Sequence, residues 1–309
     1  MRLIFAGTPE AAVPSLRRIL DSDHDVVAVI SRPDARSGRG RRTTRSPVAV
    51  VADEAEIPVF QPTSMRDEEF LKELARLAPD AAPVVAYGGL IPAPALEIPS
   101  QGWINLHFSL LPAWRGAAPV QHAIWAGDDV TGASTFLLEE GLDTGPIFGT
   151  LVEPLGPKDT AGEVLDRLSH SGADLLLATL DGIAAGELVP QPQTPEGVSL
   201  APKIDVEDAR IDWSQPGLAL ERQLRALAPK PAAWTTYRNE RVRVYPAALV
   251  TDAEMLAPGH LRQAARNSWH VGTGSQPLLL GEVQAAGKKR MAAADWFRGI
   301  TEPESEPMQ

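Results

Sequence analysis

Over its first two hundred residues the chain alternates short apolar, β-branched runs with amphipathic stretches, and this alternation leaves few ways to fold. Leu3–Ala6, Val26–Ile30, Pro83–Tyr87 and Trp103–Leu106 read as buried strands, whereas 11–20, 66–77, 117–125 and 160–185 carry helical spacing. Strands separated by helices pair in parallel, because a parallel neighbour needs a long crossover. The expectation is an α/β fold whose N-terminal part is a doubly wound, mainly parallel sheet. Its first turn, Ala6-Gly7-Thr8-Pro9-Glu10, lacks the Gly-x-Gly-x-x-Gly spacing of dinucleotide sites, so a nicotinamide cofactor has no support. A helix after that turn still presents amides to an anion.

Composition changes after residue 185. Pro190-Gln191-Pro192-Gln193-Thr194-Pro195-Glu196-Gly197 can neither extend a helix nor join a central strand. Beyond Asp212-Trp213-Ser214 comes one helical segment, 218–227, and then strand-like runs at 233–237, 242–249, 260–263, 269–271 and 278–283. Five short strands broken by turns predict a small β-barrel. The expected division is a domain over 1–189, a linker over 190–208 and a barrel domain over 209–309.

There is no cysteine, and six scattered histidines show no metal-ligand spacing, so neither a disulfide framework nor a metal is expected. The apolar run behind Met1 and Arg2 is too short for a signal peptide or membrane span, which predicts a soluble, cytoplasmic protein. A net charge of -11 argues against indiscriminate nucleic-acid binding. From residue 205 onward, however, 13 basic residues balance 13 acidic ones, so the excess lies in the first two thirds. Within that acidic part, 34–45 concentrates Arg36, Arg39, Arg41, Arg42 and Arg45 around two glycines. By composition alone this is a solvated surface loop.

Asn105 and His107 interrupt an apolar run, where an unpaired polar group costs on the order of 1–3 kcal/mol. Two residues apart on a strand, they share a face. Asp143 lies in Gly141-Leu142-Asp143-Thr144-Gly145, where the glycines permit a sharp bend. Each residue alone has an ordinary structural reading: a core histidine, a turn asparagine, a capping aspartate. Together an amide donor, an imidazole of near-neutral pKa and a carboxylate suffice for acyl transfer to an amine, which needs an oxyanion stabilised and a proton moved.

The segments Asn105-Leu106-His107-Phe108-Ser109-Leu110-Leu111-Pro112, Arg115-Gly116-Ala117-Ala118-Pro119 and Gly141-Leu142-Asp143-Thr144-Gly145 resemble the signature of the folate-dependent formyltransferases. The likeness extends from Ile4-Phe5-Ala6-Gly7-Thr8-Pro9 to Ala286-Gly287-Lys288-Lys289, nearly the whole chain. It implies a Rossmann-like catalytic domain of formyltransferase type and an oligonucleotide-binding (OB)-like C-terminal barrel. It also implies 10-formyltetrahydrofolate as donor, with no metal, and the α-amine of methionine on initiator tRNA as acceptor. By the same resemblance, Asn105, His107 and Asp143 are catalytic. Ser109, Leu110, Leu111 and Pro112 contact the folate, and Tyr87, Gly88, Gly89, Leu90 and Ile91 wall its pocket. Arg36, Arg39, Arg41, Arg42, Arg45 and Lys203 hold tRNA, with Arg241, Arg243, Lys288, Lys289 and Arg290 as further candidates, and the protein is a monomer. Phe108 stands where many members have a small residue, and Gly89 where many have a bulky aliphatic one. If 103–109 is extended, Phe108 points away from His107, leaving the catalytic three intact.

The Asn, His and Asp set alone also fits formyltransferases of amino sugar nucleotides and hydrolases that release formate. The arginine-rich segment and the full-length likeness favour tRNA. A non-catalytic RNA-binding protein, its α/β half serving as scaffold, is the reading from a different class.

Overall fold

The computed structural model describes residues 1–37 and 42–309, without the side chains of Arg36, Ser37 and Arg42. The chain forms two compact units: residues 1–119, 130–154 and 165–201 make the first, and residues 120–129, 155–164 and 202–309 the second.

Seven strands form the central sheet of the first unit: β1 (Arg2–Gly7), β2 (Asp25–Ile30), β3 (Val59–Phe60), β4 (Ala82–Val85), β5 (Trp103–His107), β6 (Val130–Leu137) and β7 (Ile147–Pro154). Their order is β7-β6-β5-β4-β1-β2-β3, with β1 to β5 all parallel. β6 runs antiparallel to both β5 and β7. Only residues 138–146 join β6 to β7, too few for a crossover, so that edge turns antiparallel. Strand order reverses between β1 and β4, and at such switch points the carboxyl ends of the strands leave a crevice. Leu3, Ile4, Phe5 and Ala6 are fully buried, the mark of a strand covered on both faces. Trp103, equally buried, satisfies its indole N–H on the Ala95 carbonyl at 2.8 Å.

Capping chemistry sets where helices begin. The stretch expected over 66–77 is helical from Glu68 to Arg76, because Asp67 accepts the Phe70 N–H at 2.9 Å as its N-cap. The stretch expected from residue 11 begins at Val13, after a 3-10 turn, with Pro14 in its first turn, where a missing N–H does no harm. For the same reason the stretch expected over 117–125 starts at Pro119.

In the second unit two of the five expected runs are each divided. Strands β8 (Trp234–Tyr237), β9 (Glu240–Val244), β14 (Glu282–Ala285) and β15 (Met291–Ala292) make one sheet, in the order β8-β9-β14-β15. β10 (Ala248–Leu249), β13 (Leu278–Leu279), β12 (Ser268–Val271) and β11 (Leu261–Ala265) make the other, in that order. The run 242–249 therefore serves one sheet as β9 and the other as β10, bending at Tyr245-Pro246-Ala247, and 278–283 does the same at Leu280-Gly281. A Cβ on Gly281 would stand 2.8 Å from the Pro246 carbonyl, so the two bends meet where a side chain would not fit. Strands that switch sheets at corners are how a small barrel is built. Its core packs Trp269 on Phe297, with ring centroids 4.4 Å apart, among Val242, Val244, Leu278 and Val283.

The segment expected as a linker over 190–208 is ordered by pairing. Gln191 and Ile147 exchange backbone hydrogen bonds of 2.7 and 2.8 Å, and Leu200–Ala201 pairs in parallel with Arg115–Gly116.

Candidate active site

A cleft of about 560 Å³ opens in the first unit beyond the carboxyl ends of β4 and β5. Asn105, His107 and Asp143 all line it. Parallel pairing of β5 with β4 on one side and antiparallel pairing with β6 on the other holds Asn105 between Val84 and Phe136. Among the described residues, its side-chain amide has no hydrogen-bond partner, so its N–H groups are available to whatever enters.

His107 is buried, its ring edge-on to Phe136 with centroids 6.4 Å apart. Its Nε2 lies 2.9 Å from the Trp114 carbonyl, which only accepts, so Nε2 carries a proton. In the neutral ring Nδ1 is then a bare lone pair. It stands 3.8 Å from Asp143 Oδ2, too far for a direct hydrogen bond but near enough for the carboxylate to stabilise an imidazolium. Burial pushes the His107 pKa below the ordinary imidazole value of 6.5, against the Asp143 charge and the Trp114 carbonyl, which favour the protonated ring. Burial thus favours the neutral imidazole, with a carboxylate beside its bare nitrogen.

The loop carrying Asp143 is tightly held. Asp143 itself has left-handed backbone, φ 50°, a conformation that costs a non-glycine residue roughly 1–3 kcal/mol. The flanking glycines serve close approach rather than left-handed geometry: a Cβ on Gly145 would lie 1.8 Å from the Leu137 carbonyl. The carboxylate accepts the Gly116 N–H at 2.7 Å. Gln193 Nε2 donates to the carbonyls of both Asp143 and Gly145 at 2.8 Å, and Arg115 donates to Gln193 Oε1 at 2.6 and 3.2 Å. Gly116 has φ 129°, and a Cβ there would meet the Ala201 carbonyl at 2.5 Å. Gln193 escaped the sequence reading because a glutamine in a proline-rich segment carries no spacing signal.

Tyr87, Gly88, Gly89, Leu90 and Ile91 line the cleft as expected of a pocket wall. A Cβ on Gly89 would stand 2.6 Å from the Tyr87 ring, so the missing side chain makes room for that ring. One expectation needs correction. Ser109, Leu110, Leu111 and Pro112 follow directly on the cleft residue Phe108, with Ser109 Oγ donating to Ala113 O at 2.6 Å and Leu111 N–H to Ser134 Oγ at 3.1 Å. Phe108 does line the cleft, because β5 ends at His107 and the alternation of faces stops there. Leu90 and Leu142 also line it, 71% and 62% exposed, apolar surface that a ligand would cover. Glu139 and Glu140 line it as well, and among the described residues the lining holds no lysine or arginine.

Among the cations expected to hold tRNA, Arg39 and Arg41 lie outside the described residues, as do the side chains of Arg36 and Arg42. Arg45 is not free: it clamps Asp53 through Nε and Nη2 at 2.5 and 2.7 Å and reaches Gln61 Oε1 at 3.2 Å. Lys203, in the second unit, is exposed and paired with Asp205 at 2.9 Å. On the barrel, Arg241 stacks over Trp234 at 3.7 Å and Arg290 over Tyr245 at 4.0 Å, while Arg243 donates to Gln284. Among the described residues no group of three or more His, Asp or Glu side chains is placed to hold a metal ion.

The profile of the formyl transferase family matches residues 1–180, and that of the formyl transferase C-terminal domain matches residues 203–301. The methionyl-tRNA formyltransferase of Streptomyces coelicolor is 57% identical over 307 residues, covering 99% of each chain. The chain belongs to the methionyl-tRNA formyltransferase family. The family's member from Thermobifida fusca is 58% identical over 299 residues, 97% of this chain and 96% of its own. The fold is shared with the crystal structure of HypX from Aquifex aeolicus in complex with tetrahydrofolic acid. That match has a TM-score of 0.66 and 16% identity, over 96% of this chain and 46% of that one.

Within this family setting the Gln193 contacts carry an expected result. Gln193→Ala removes both donors from the Asp143 loop and should lower kcat for formyl transfer about tenfold, since hydrogen bonds of this kind contribute about 0.5–1.5 kcal/mol each. Steady-state kinetics with saturating substrates checks it; an unchanged kcat would mean that the loop holds its shape without Gln193.

Proposed function

We propose that this chain transfers the formyl group of 10-formyltetrahydrofolate to the free amine of methionine on initiator methionyl-tRNA, giving N-formylmethionyl-tRNA. The observation that carries the proposal is the convergence of Asn105, His107 and Asp143 on one cleft in a chain of this family. The cleft has room for a flat heterocycle between the Tyr87–Ile91 wall and Leu142, and the unpartnered Asn105 amide supplies a directed hydrogen bond.

When bound, the donor supplies a formyl carbon whose leaving group is a nitrogen. As the methionyl amine forms its C–N bond to that carbon, the Asn105 N–H stabilises the negative charge growing on the formyl oxygen. His107 Nδ1 takes the proton released by the amine, and the Asp143 carboxylate stabilises the imidazolium so formed. As the bond to the folate nitrogen breaks, His107 returns that proton to it, leaving the enzyme as it began.

The acceptor assignment draws support from the arginine-rich segment 34–45 and from the arginine–aromatic pairs on the barrel, a surface type that nucleic acids favour. No helix among the described residues is long and apolar enough to cross a membrane. The reading includes a cytoplasmic monomer that needs no metal. The test offers purified protein 10-formyltetrahydrofolate with methionyl initiator tRNA, methionyl elongator tRNA, an amino sugar nucleotide or water alone. Preferential formylation of the initiator is expected. Sugar formylation or formate release in its place would overturn the acceptor, and no turnover with any acceptor would overturn the enzyme.

A further inference from the structure

The carbonyl that accepts from His107 belongs to a residue in a conformation that needs support. Trp114 has left-handed backbone, φ 60°, which a bulky side chain adopts only where its surroundings enforce it. Ser199, distant in sequence, makes two hydrogen bonds to this turn. Its Oγ accepts the Trp114 N–H at 2.9 Å, and its carbonyl accepts the Arg115 N–H at 2.9 Å. The Arg115 N–H and the Trp114 carbonyl form one planar, trans peptide group, so they point in opposite directions. With the N–H anchored on Ser199, the carbonyl faces the other way, and there it meets His107 Nε2 at 2.9 Å.

That carbonyl settles a choice on which Asp143 pulls in the opposite sense. A neutral imidazole carries one proton, on either nitrogen, and the hydrogen bond made by one ring nitrogen sets the state of the other. A proton on Nδ1 would face the Asp143 carboxylate, whose charge favours it there, and Nδ1 would then have no lone pair for the chemistry. A proton on Nε2 is held by the Trp114 carbonyl and leaves Nδ1 bare. Distance decides between them, because 2.9 Å makes a hydrogen bond and 3.8 Å does not. The same Asp143 oxygen, Oδ2, already accepts the Gly116 N–H from this turn at 2.7 Å. The preference therefore depends on how well the Trp114 carbonyl is aimed, and the aim comes from Ser199.

We infer that Ser199 is a positioning residue that fixes the tautomer of His107, keeping Nδ1 free to take the proton of the attacking amine. The inference rests on the function proposed above for the reaction that this tautomer serves, whereas the tautomer itself is a property of the free protein. Ser199 acts through Trp114, its hydroxyl bonded to that backbone and not to the imidazole.

The test reads the two ring nitrogens of His107 by nitrogen NMR of the full chain carrying isotope-labelled histidine, at alkaline pH where the ring is neutral. His107→Gln identifies the signals by their loss. The unaltered protein should carry the proton on Nε2. Ser199→Ala, which removes the hydroxyl and keeps the carbonyl, should move part of the population to Nδ1. It should also lower kcat for formyl transfer about two- to tenfold, the worth of one neutral hydrogen bond, at unchanged KM for the donor. Ser199→Thr, which restores a hydroxyl, should restore both the spectrum and the rate. A proton on Nδ1 in the unaltered protein overturns the inference without need of any variant. So does a proton that stays wholly on Nε2 in Ser199→Ala. Formyl transfer to initiator methionyl-tRNA by the unaltered protein is measured in parallel. Its absence defeats the proposed function, whereas transfer with either contrary spectrum defeats only the role of Ser199.

Discussion

His107→Gln is expected to slow formyl transfer roughly 10²–10⁴-fold, the usual contribution of one general acid–base residue, with little change in donor affinity. Glutamine keeps a polar group near the Trp114 carbonyl, so the loss isolates proton handling from packing. The pH profile gives a second readout. The imidazole acts as a base only when neutral, and burial sets its pKa below 6.5. The acid limb of kcat in the unaltered enzyme should therefore bend below about pH 6.5, the ordinary imidazole value, and should vanish in the variant. Stability follows the same sign. A histidine whose folded pKa is depressed contributes stability that is fully present above its unfolded pKa and is lost as pH falls through the folded one. Acid unfolding of His107→Gln should accordingly be less steep in that window. Only the difference between the two proteins is diagnostic, because burial also lowers the His24 pKa. A variant with unchanged rate would remove His107 from the chemistry.

Asp143→Asn is expected to cost on the order of 10²-fold in kcat, because it keeps an oxygen for the Gly116 N–H but removes the charge that stabilises the imidazolium. The direction of its pH effect is specific. The carboxylate raises the His107 pKa, so its loss leaves burial opposed only by the Trp114 carbonyl and moves the acid limb further toward low pH. A limb that stays in place while the rate falls would mean that Asp143 acts by shaping the loop alone. Thermal unfolding of the variant separates that outcome from collapse of the site.

The parallel sheet was readable because its strands are continuous apolar runs such as Leu3–Ala6, which only burial on both faces explains. Asn105 and His107 were readable for the converse reason, as polar side chains where an apolar strand makes them costly. Less visible was everything fixed by contacts remote in sequence. Nothing local to the 103–109 run says that β5 ends early enough for Phe108 to enter the cleft. Arg45 looked like one cation among five, yet Asp53, eight residues on, claims it. The barrel's bends at Pro246 and Gly281 hid inside apolar runs, because hydrophobic periodicity reports burial and is blind to a strand changing sheets. Gln193 was hidden most completely, since its function depends on two carbonyls about fifty positions earlier.

The dependence of the Asp143 loop on residues 193–201 also sets an order of events at the ribosome. Strands β1 to β7 are all synthesised by residue 154, yet Gln193 and the Leu200–Ala201 pairing that fixes Gly116 come later. A nascent chain that has emerged only to the end of the sheet already owns Asn105, His107 and Asp143, and the Gly116 N–H that Asp143 accepts, but lacks the two Gln193 hydrogen bonds to the carbonyls of that loop. Domains fold as they emerge, N-terminal part first. The full set of contacts around the Asp143 loop is thus postponed until after the sheet has formed, and an unfinished chain has the three cleft residues without it.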